Sequence, residues 1–187
     1  MWKTNKGSYT RRNEKLYCGT KEIIDITHKN EQTMKQFKNS FVVESDIDIV
    51  WKFYTNITHL KIITPKTMAL QILKSQNNVL QQGTEVWLSA KLVTRSKWHS
   101  KITYLKPYEY LDEMITGRFK IWKHLHKFNR IDEKKTQVID EIYFELPYGC
   151  IGKLFENYVL KQLRNIFVYR EKTTIEYLKS NSINPTH

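Results

Sequence analysis

Short stretches of alternating apolar and polar residues make up most of the chain, and a helical spacing replaces them near the C-terminus. The first alternating stretch, 37–44, is rich in β-branched and aromatic residues, so it predicts a strand. Apolar residues then recur at helical spacing from Ile47 to Tyr54, which predicts a short helix with Ser45 or Asp46 as its N-cap. A second short helix is predicted over 57–63.

Further stretches show the period of two that a strand requires. Their predicted bounds are 68–74, 84–94, 96–105, 108–116, 117–130 and 136–146. Turn residues such as Pro107, Gly117 and Pro147 separate several of them, as expected for strands that follow one another through hairpins. These stretches predict a run of antiparallel strands.

The last pattern predicts one long helix over 152–179, with a length of roughly 40 Å. Its apolar residues share one broad face, so we expect that face to pack on a sheet. The residues of this face are Ile151, Leu154, Phe155, Tyr158, Val159, Leu163, Ile166, Phe167, Ile175 and Leu178. A coiled coil is less favoured because strict heptads are not sustained.

The order of predicted elements defines the fold class. One strand, two short helices, a run of antiparallel strands and one long helix indicate an α+β domain rather than a parallel βαβ sheet. A strongly curved antiparallel sheet wrapped around one helix leaves a hollow between them. The sequence therefore predicts an α+β fold with an internal cavity.

The length of 187 residues predicts one domain, which we place over 34–180. Residues 1–33 are polar and are expected to form a flexible extension, and 181–187 a disordered tail. Met34 precedes the first strand pattern and is a candidate physiological start, which an intact-mass measurement of the native protein would test. Because no apolar run could span a bilayer and no signal-peptide core is present, we expect a cytoplasmic protein.

The formal net charge of +12 raises the question of an anionic partner. The positive charges are mostly scattered single residues, and only Arg11-Arg12 and Lys134-Lys135 are adjacent pairs. No basic run is interleaved with aromatic residues, and no zinc-finger or RRM pattern is present. A lysine-rich solvated surface is therefore favoured over nucleic-acid binding, while contact with an anionic membrane surface stays open.

Residues 117–128 combine side chains that suit neither an ordinary core nor an ordinary surface. In a strand, Trp122, His124, His126 and Phe128 would share one face, together with Lys120. Two aromatic rings and two imidazoles on one face are typical of the wall of a semi-polar cavity. We expect the long helix to close that cavity.

The hairpin to the following strand predicts a third polar residue beside His124 and His126. Matching inward faces across the hairpin would pair Arg130 with Thr136 and set His126 opposite Asp140, with His124 opposite Ile142. A contact between His126 and Asp140 would fix the imidazole tautomer and raise its basicity.

Three interpretations of His124, His126 and Asp140 stay open. They could form a structural polar cluster, anchor a ligand, or serve in metal binding or catalysis. Two histidines and one aspartate are too short a ligand list to predict a metal. We therefore predict no metal and no cofactor, and keep the three residues as catalytic candidates.

Other residues are candidates for the cavity wall or its polar end. Trp98, Tyr104 and Phe144 are candidate lining, with an ordinary core role as the alternative. Arg170 lies within the apolar stripe of the long helix, where a buried guanidinium needs an acidic partner or an anionic ligand group. A structural salt bridge with Asp112 or Glu141 is the favoured interpretation.

Signatures of most enzyme classes are missing. The sequence contains no G-x-S-x-G, no P-loop and no dinucleotide-binding glycine pattern. Cys18 and Cys150 are far apart and fit no metal-binding pattern, so both are interpreted as reduced thiols.

Several stretches resemble the START-like, or SRPBCC, superfamily, and more narrowly its cyclase/dehydrase-like ligand-binding members. The segment 117–128 resembles the pattern G-p-[FY]-x-x-W-x-H-x-H-x-F, and 140–149 resembles D-x-V-x-Y-x-L-P-x-G. The segment 162–170 resembles Q-L-x-x-I-F-x-Y-R. Residues 60–68 and 110–112 resemble two shorter family stretches, so the resemblance covers about 37–178.

The resemblance implies the helix-grip fold, with a curved antiparallel sheet around a long C-terminal helix. It also implies a cavity that holds a small apolar molecule such as a lipid, isoprenoid or polyketide. Some members cyclise or dehydrate polyketides and others only carry or sense ligands, so the fold does not decide the chemistry. We expect non-enzymatic binding, with a cyclase/dehydrase-type enzyme using His124 or His126 as general acid/base as the alternative.

The residue patterns and the family resemblance together give the expected set of ligand-binding residues. It consists of Trp98, Tyr104, Asp112, Trp122, His124, His126, Phe128, Asp140, Phe144, Phe167 and Arg170.

Overall fold

A computed structural model describes residues 34–91 and 94–183. The predicted extension over 1–33 and the end of the predicted tail, 184–187, lie outside the described residues. The candidate start at Met34 is the first described residue and stays a prediction. All statements below concern the described residues.

Seven strands form one antiparallel sheet in the described part of the chain, in the order β1-β7-β6-β5-β4-β3-β2. Their bounds are β1 Lys35–Val43, β2 Gln71–Ser75, β3 Glu85–Lys91, β4 Arg95–Lys106, β5 Glu109–Thr116, β6 Ile121–Asp132 and β7 Lys135–Glu145. Neighbouring strands from β2 to β7 follow one another in sequence, and β1 lies at one edge of the sheet, where it pairs with β7. The predicted run of antiparallel strands is confirmed.

Helix α1, Ile47–Thr55, lies between β1 and β2 and is followed by two short 3-10 helices, Ile57–Lys61 and Lys66–Met68. The Asp46 carboxylate caps α1 by accepting a hydrogen bond of 2.7 Å from the backbone N–H of Asp48. Asp46, rather than Ser45, is therefore the N-cap.

The predicted long C-terminal helix is divided into α2, Cys150–Leu154, and α3, Glu156–Ile183. The two helices meet at Phe155, whose N–H donates to the Gly152 carbonyl in a tight turn. Gly152 is buried so close to the preceding loop that a Cβ there would lie 2.3 Å from the Pro147 carbonyl oxygen. Any side chain at this position would therefore clash with the loop that precedes α2.

The division corrects the predicted apolar face. Ile151, Leu154, Phe155 and Tyr158 do not pack on the sheet but are exposed, and they belong to α2 and the first turn of α3. Ile175, further along α3, is also exposed. At the other end, α3 continues to Ile183, so the predicted tail begins as helix.

Two clusters of buried apolar side chains pack the helices on the sheet. One joins the middle of α3 to β1 and β7, and its buried members are Phe37, Ile142, Phe144, Leu163 and Phe167. The other joins α1 and the end of α3 to the sheet, and includes Phe41, Val43, Val50, Phe53, Tyr54, Phe128, Val138 and Leu178. The helix-grip α+β fold is thus confirmed.

A β-bulge interrupts the alternation of β4. Ile102 pairs with Asp112 and Tyr104 with Leu111, so Thr103 is an extra residue on β4. Even-numbered residues of β4 therefore face inward before the bulge, and odd-numbered residues face inward after it. The inward face passes from Ile102 to Leu105, which packs against a core cluster, and Tyr104 turns outward.

Candidate functional site

A cavity of about 250 Å³ lies between the inner face of the sheet and α3. Strands β3 to β7, α1, the 3-10 helices and α3 all contribute to its wall. Most of the wall is apolar, and its apolar members include Phe53, Leu60, Leu80, Val86, Leu88, Trp98, Ile102, Phe119, Trp122, Ile142, Val159, Ile166 and Phe167. An apolar hollow of this kind is the usual form of a small-molecule site.

The polar end of the cavity is built on the β6–β7 hairpin. His126 is opposite Asp140 and His124 is opposite Ile142, which confirms the predicted register. His124 Nε2 donates to Asp140 Oδ1 over 2.9 Å, and His126 Nδ1 lies 2.9 Å from the same oxygen. The His126 contact is close but poorly aligned, because this nitrogen makes no hydrogen bond of good geometry with any described residue.

Arg170 of α3 approaches the same carboxylate from the helix side. Its Nη1 lies 3.6 Å from Asp140 Oδ1, and its guanidinium covers the Phe167 ring with 4.6 Å between guanidinium carbon and ring centroid. The prediction of Asp112 or Glu141 as the partner of Arg170 is therefore wrong. Glu141 follows Asp140 in β7 and faces the opposite side of the sheet, where it pairs with Lys38.

Burial and mutual contact set the protonation of this cluster. Burial lowers the pKa of His124 to about 3, and the neighbouring His126 acts in the same direction. Burial also lowers the pKa of His126. Burial alone would raise the pKa of Asp140, but donation from His124 and the close His126 nitrogen outweigh it and hold the pKa well below its usual range. The cluster therefore contains one carboxylate, one guanidinium and two neutral imidazoles at neutral pH.

Asp112 lies beside this cluster, opposite His124 across the β5–β6 pair. It lines the cavity, and burial raises its pKa to about 6, although a hydrogen bond from Ser100 acts against the shift. Its Oδ1 atom has no hydrogen-bond partner among the described residues. Asp112 is thus a cavity carboxyl group that changes charge near neutral pH.

Several buried polar atoms at this end of the cavity are unsatisfied by the described protein. These atoms are Asp112 Oδ1, His126 Nδ1, Asp140 Oδ2, Arg170 Nε and Arg170 Nη1. Buried polar atoms nearly always have a partner, either in the protein or in a bound molecule. The set contains both donors and acceptors, so a ligand group with oxygen atoms would suit it.

The same residues could be considered as metal ligands. One ligand atom each from His124, His126 and Asp140 lie within 4.8 Å of one another, and the two imidazoles are neutral as a metal requires. Arg170 opposes this use, since its positive charge lies 3.6 Å from the shared oxygen. The arrangement therefore fits a polar ligand group better than a divalent cation.

The structure brings seven of the predicted ligand-binding residues to the cavity wall. They are Trp98, Asp112, Trp122, His124, His126, Phe167 and Arg170. Asp140 is fully buried behind the two histidines, and it acts on the cavity through them and Arg170.

The other three predicted residues are not among those that line the cavity. Phe128 and Phe144 are buried in the core clusters. Tyr104 turns to the outer face after the β-bulge, where its ring contacts the Lys106 ammonium group.

Sequence reasoning missed two tyrosines of the polar end. Tyr54 lines the cavity, and its hydroxyl lies 3.1 Å from Thr174 Oγ1 of α3. Tyr110 stacks on the His126 ring with 4.2 Å between centroids. Tyr110 is opposite His126 across β5 and β6, and paired residues share a face, but the register of these two strands is visible only in the structure.

None of the described helices is both long and apolar enough to cross a bilayer.

Comparison with known proteins yields matches in structure but not in sequence. The sequence matches no family model and no curated protein. A protein from Thermus thermophilus superposes with a TM-score of 0.65 at 15% identity, covering 79% of this chain and 99% of that one. The Zhui aromatase/cyclase of a Streptomyces species gives 0.67 at 14% identity, covering 80% and 96%.

A START superfamily protein from Mycobacterium smegmatis also matches, with a TM-score of 0.62 at 9% identity, covering 78% of this chain and 97% of that one. The alignments span nearly the whole of each of these proteins. Identities this low show the fold alone. The chain has the helix-grip fold of START-like, or SRPBCC, proteins.

Proposed function

We propose that the protein binds a small, mostly apolar molecule non-covalently in the cavity, in order to carry or to sense it. The observation that carries this proposal is the apolar cavity with unsatisfied buried polar atoms at one end. Lipids, isoprenoids and polyketides combine an apolar body with an oxygen-bearing group and therefore fit both parts. The cavity volume of about 250 Å³ favours a compact member of these classes, because sites for drug-sized ligands usually occupy about 300–1,000 Å³.

The polar end would orient the ligand. Arg170 offers unpaired N–H groups, and the uncharged histidines add little cost to burying a neutral hydroxyl or carbonyl beside them. Asp112 could accept or donate a hydrogen bond according to its protonation. The START superfamily and aromatase/cyclase neighbours support this proposal at the level of the fold only.

Native mass spectrometry of the gently purified protein tests the proposal directly, with extraction and identification of any bound molecule. We expect a bound apolar compound in the wild type. Ser100→Phe would fill the cavity, since Ser100 lines it, and should remove the bound mass. Lys101→Phe is the matched control, because Lys101 faces outward and pairs with Glu85.

A probe titration extends the test to protein that purifies without a ligand. We expect 1-anilinonaphthalene-8-sulfonate to fluoresce with the wild type and with Lys101→Phe, but not with Ser100→Phe. Circular dichroism would check that each variant is folded. Equal probe binding by Ser100→Phe and the wild type would place the site elsewhere and contradict the proposal.

A second candidate function is proton-transfer catalysis of the cyclase or dehydrase kind. The specific observation in its favour is Asp112, a cavity carboxyl group whose pKa is raised to about 6 by burial. A general acid or base works best when its pKa is near the operating pH. His124, with its pKa lowered to about 3, is less suited to that role at neutral pH.

Turnover separates the two functions. If the extracted compound is converted by the wild-type protein, Asp112→Asn should abolish conversion while ligand affinity stays within a few-fold. His124→Asn should retain part of the conversion, because the Asn amide can still donate to Asp140. A compound that is bound and released unchanged would favour carriage or sensing.

A further inference from the structure

A cluster of exposed apolar side chains lies at the start of the C-terminal helices. Tyr148, Ile151, Leu154, Phe155 and Tyr158 are between 45% and 82% exposed. Single exposed apolar residues are ordinary, but several together mark an interaction surface. We call these five residues the α2 patch.

Three positively charged side chains close to the α2 patch in the sequence have no acidic partner among the described residues. Lys153, Lys161 and Arg164 are exposed, and none forms an ion pair with a described residue. The two nearby acidic side chains are already neutralised. Glu156 pairs with Lys35 at 3.4 Å and Glu145 pairs with Lys120 at 2.6 Å.

The α2 patch borders the cavity. Tyr158 belongs to the patch and also lines the cavity, and Arg118 is a second exposed lining residue. The neighbouring residues Val159 and Gln162 continue the cavity wall along α3. The opening of the cavity and the patch are therefore parts of one surface.

We propose that the α2 patch docks on the surface of an anionic lipid bilayer. The apolar side chains would enter the headgroup region, and the three unpaired cations would contact anionic headgroups. Apolar side chains rimmed by Lys and Arg are typical of surfaces that bind in the plane of such a membrane. The two tyrosines have the amphipathic character that membrane interfaces favour.

Charge complementarity decides between a bilayer and a second copy of this chain. A symmetric dimer through the α2 patch would bring two copies of the same unpaired cations together, and like charges in contact are unfavourable. An anionic bilayer has the opposite charge over its whole surface. The docking proposal does not depend on the proposed ligand, because vesicle binding requires no occupant of the cavity.

Vesicle flotation with the full-length protein tests the proposal. We expect binding to phosphatidylcholine vesicles that contain about a third phosphatidylserine, and much weaker binding to pure phosphatidylcholine. Leu154→Ser combined with Phe155→Ser should weaken binding at least about tenfold, because both side chains lose their apolar contact with the bilayer. Lys153→Gln combined with Lys161→Gln should weaken it by about tenfold or more.

The turn between β6 and β7 provides matched controls. Ile131 and Lys134 are also exposed, but they lie at the opposite end of β7 from the α2 patch. At about 3.3 Å per residue, the strand separates the two ends by roughly 30 Å. Ile131→Ser and Lys134→Gln should therefore leave vesicle binding unchanged, and so should the cavity-filling Ser100→Phe.

Three results would overturn the proposal. The first is absence of wild-type binding to the phosphatidylserine vesicles. The second is a change from dimer to monomer in Leu154→Ser, Phe155→Ser, measured by light scattering, which would assign the patch to a second copy. The third is duplex DNA binding that Lys153→Gln, Lys161→Gln abolishes while vesicle binding persists, which would assign the cations to nucleic acid.

Discussion

Two arginine–aspartate pairs in this molecule have opposite environments. On the surface, Arg130 Nη1 lies 2.7 Å from Asp46 Oδ2, and both side chains are partly exposed to solvent. Inside, Arg170 Nη1 lies 3.6 Å from Asp140 Oδ1, where Asp140 is fully buried. The surface pair has the shorter distance, yet loss of the inner pair should reduce the stability of the fold more.

The two pairs differ in how much they should contribute to stability. Exposed ion pairs contribute little because water and salt screen them, whereas a buried charge left without its partner is costly. The inner pair is long and leaves Arg170 Nε, Arg170 Nη1 and Asp140 Oδ2 without partners. A pair selected for stability alone would close this distance, so the inner geometry is better suited to receiving a third group.

The largest effect is expected from Asp140→Asn. The substitution keeps the size of the side chain but leaves the buried Arg170 guanidinium without a countercharge, which should lower the free energy of unfolding by about 3–5 kcal/mol. Urea denaturation would measure it. Glu141→Gln, on the outer face of the same strand, should change stability far less, and equal losses in the two variants would refute the comparison.

The next effect concerns acid stability. The pKa of His124 is about 3 in the folded chain against about 6.5 for an unperturbed imidazole, so between these values the unfolded chain binds more protons. Stability should fall as the pH falls from about 6.5 towards 3. His124→Asn should reduce that slope by up to about 1.4 kcal/mol per pH unit in urea denaturation series. An unchanged slope in the variant would show that His124 is not the titrating group.

A smaller effect of opposite sign is expected from Asp112. Its pKa is about 6 in the folded chain against 3.8 unfolded, so between these values the folded chain binds more protons. This group therefore lowers stability as the pH rises from about 4 to about 6, and the cost persists above that. Asp112→Asn should be more stable than the wild type at about pH 7 and similar to it at about pH 4. The same stability difference at both pH values would argue against this titration.

The smallest effect is expected at the surface pair. Arg130→Gln should leave the thermal midpoint nearly unchanged, and added salt should make the variant and the wild type indistinguishable. Thermal unfolding followed by circular dichroism at low and high salt would measure this. A loss comparable to that of Asp140→Asn would mean that burial does not separate the two pairs.

Much of the fold could be predicted from the sequence because its signals are local. The alternation over 136–146 appears in the structure as β7, and one of the two predicted caps, Asp46, begins α1. Inward faces must match across a hairpin, so the pairing of His126 with Asp140 also followed from the sequence.

The rest depends on tertiary geometry that a residue pattern does not contain. The alternation from Trp98 to Tyr104 shows no sign of the bulge at Thr103, so the pattern alone places Tyr104 in the cavity. Helical spacing is the same for an apolar face that packs on the sheet and for one that is exposed, so it assigns Leu154 to the core although this residue is exposed. The partner of Arg170 depends on the rotation of α3, which no local signal determines.

The bulge at Thr103 makes β4 tolerant of the loss of one residue. Ile102 already pairs with Asp112 and Tyr104 with Leu111, so deletion of Thr103 would leave both residues with their present partners and on their present faces. The loss of a residue from a regular stretch of a strand would instead turn the residues on one side of it to the opposite face. A codon for Thr103 could thus be lost in descent without changing which side chains line the cavity.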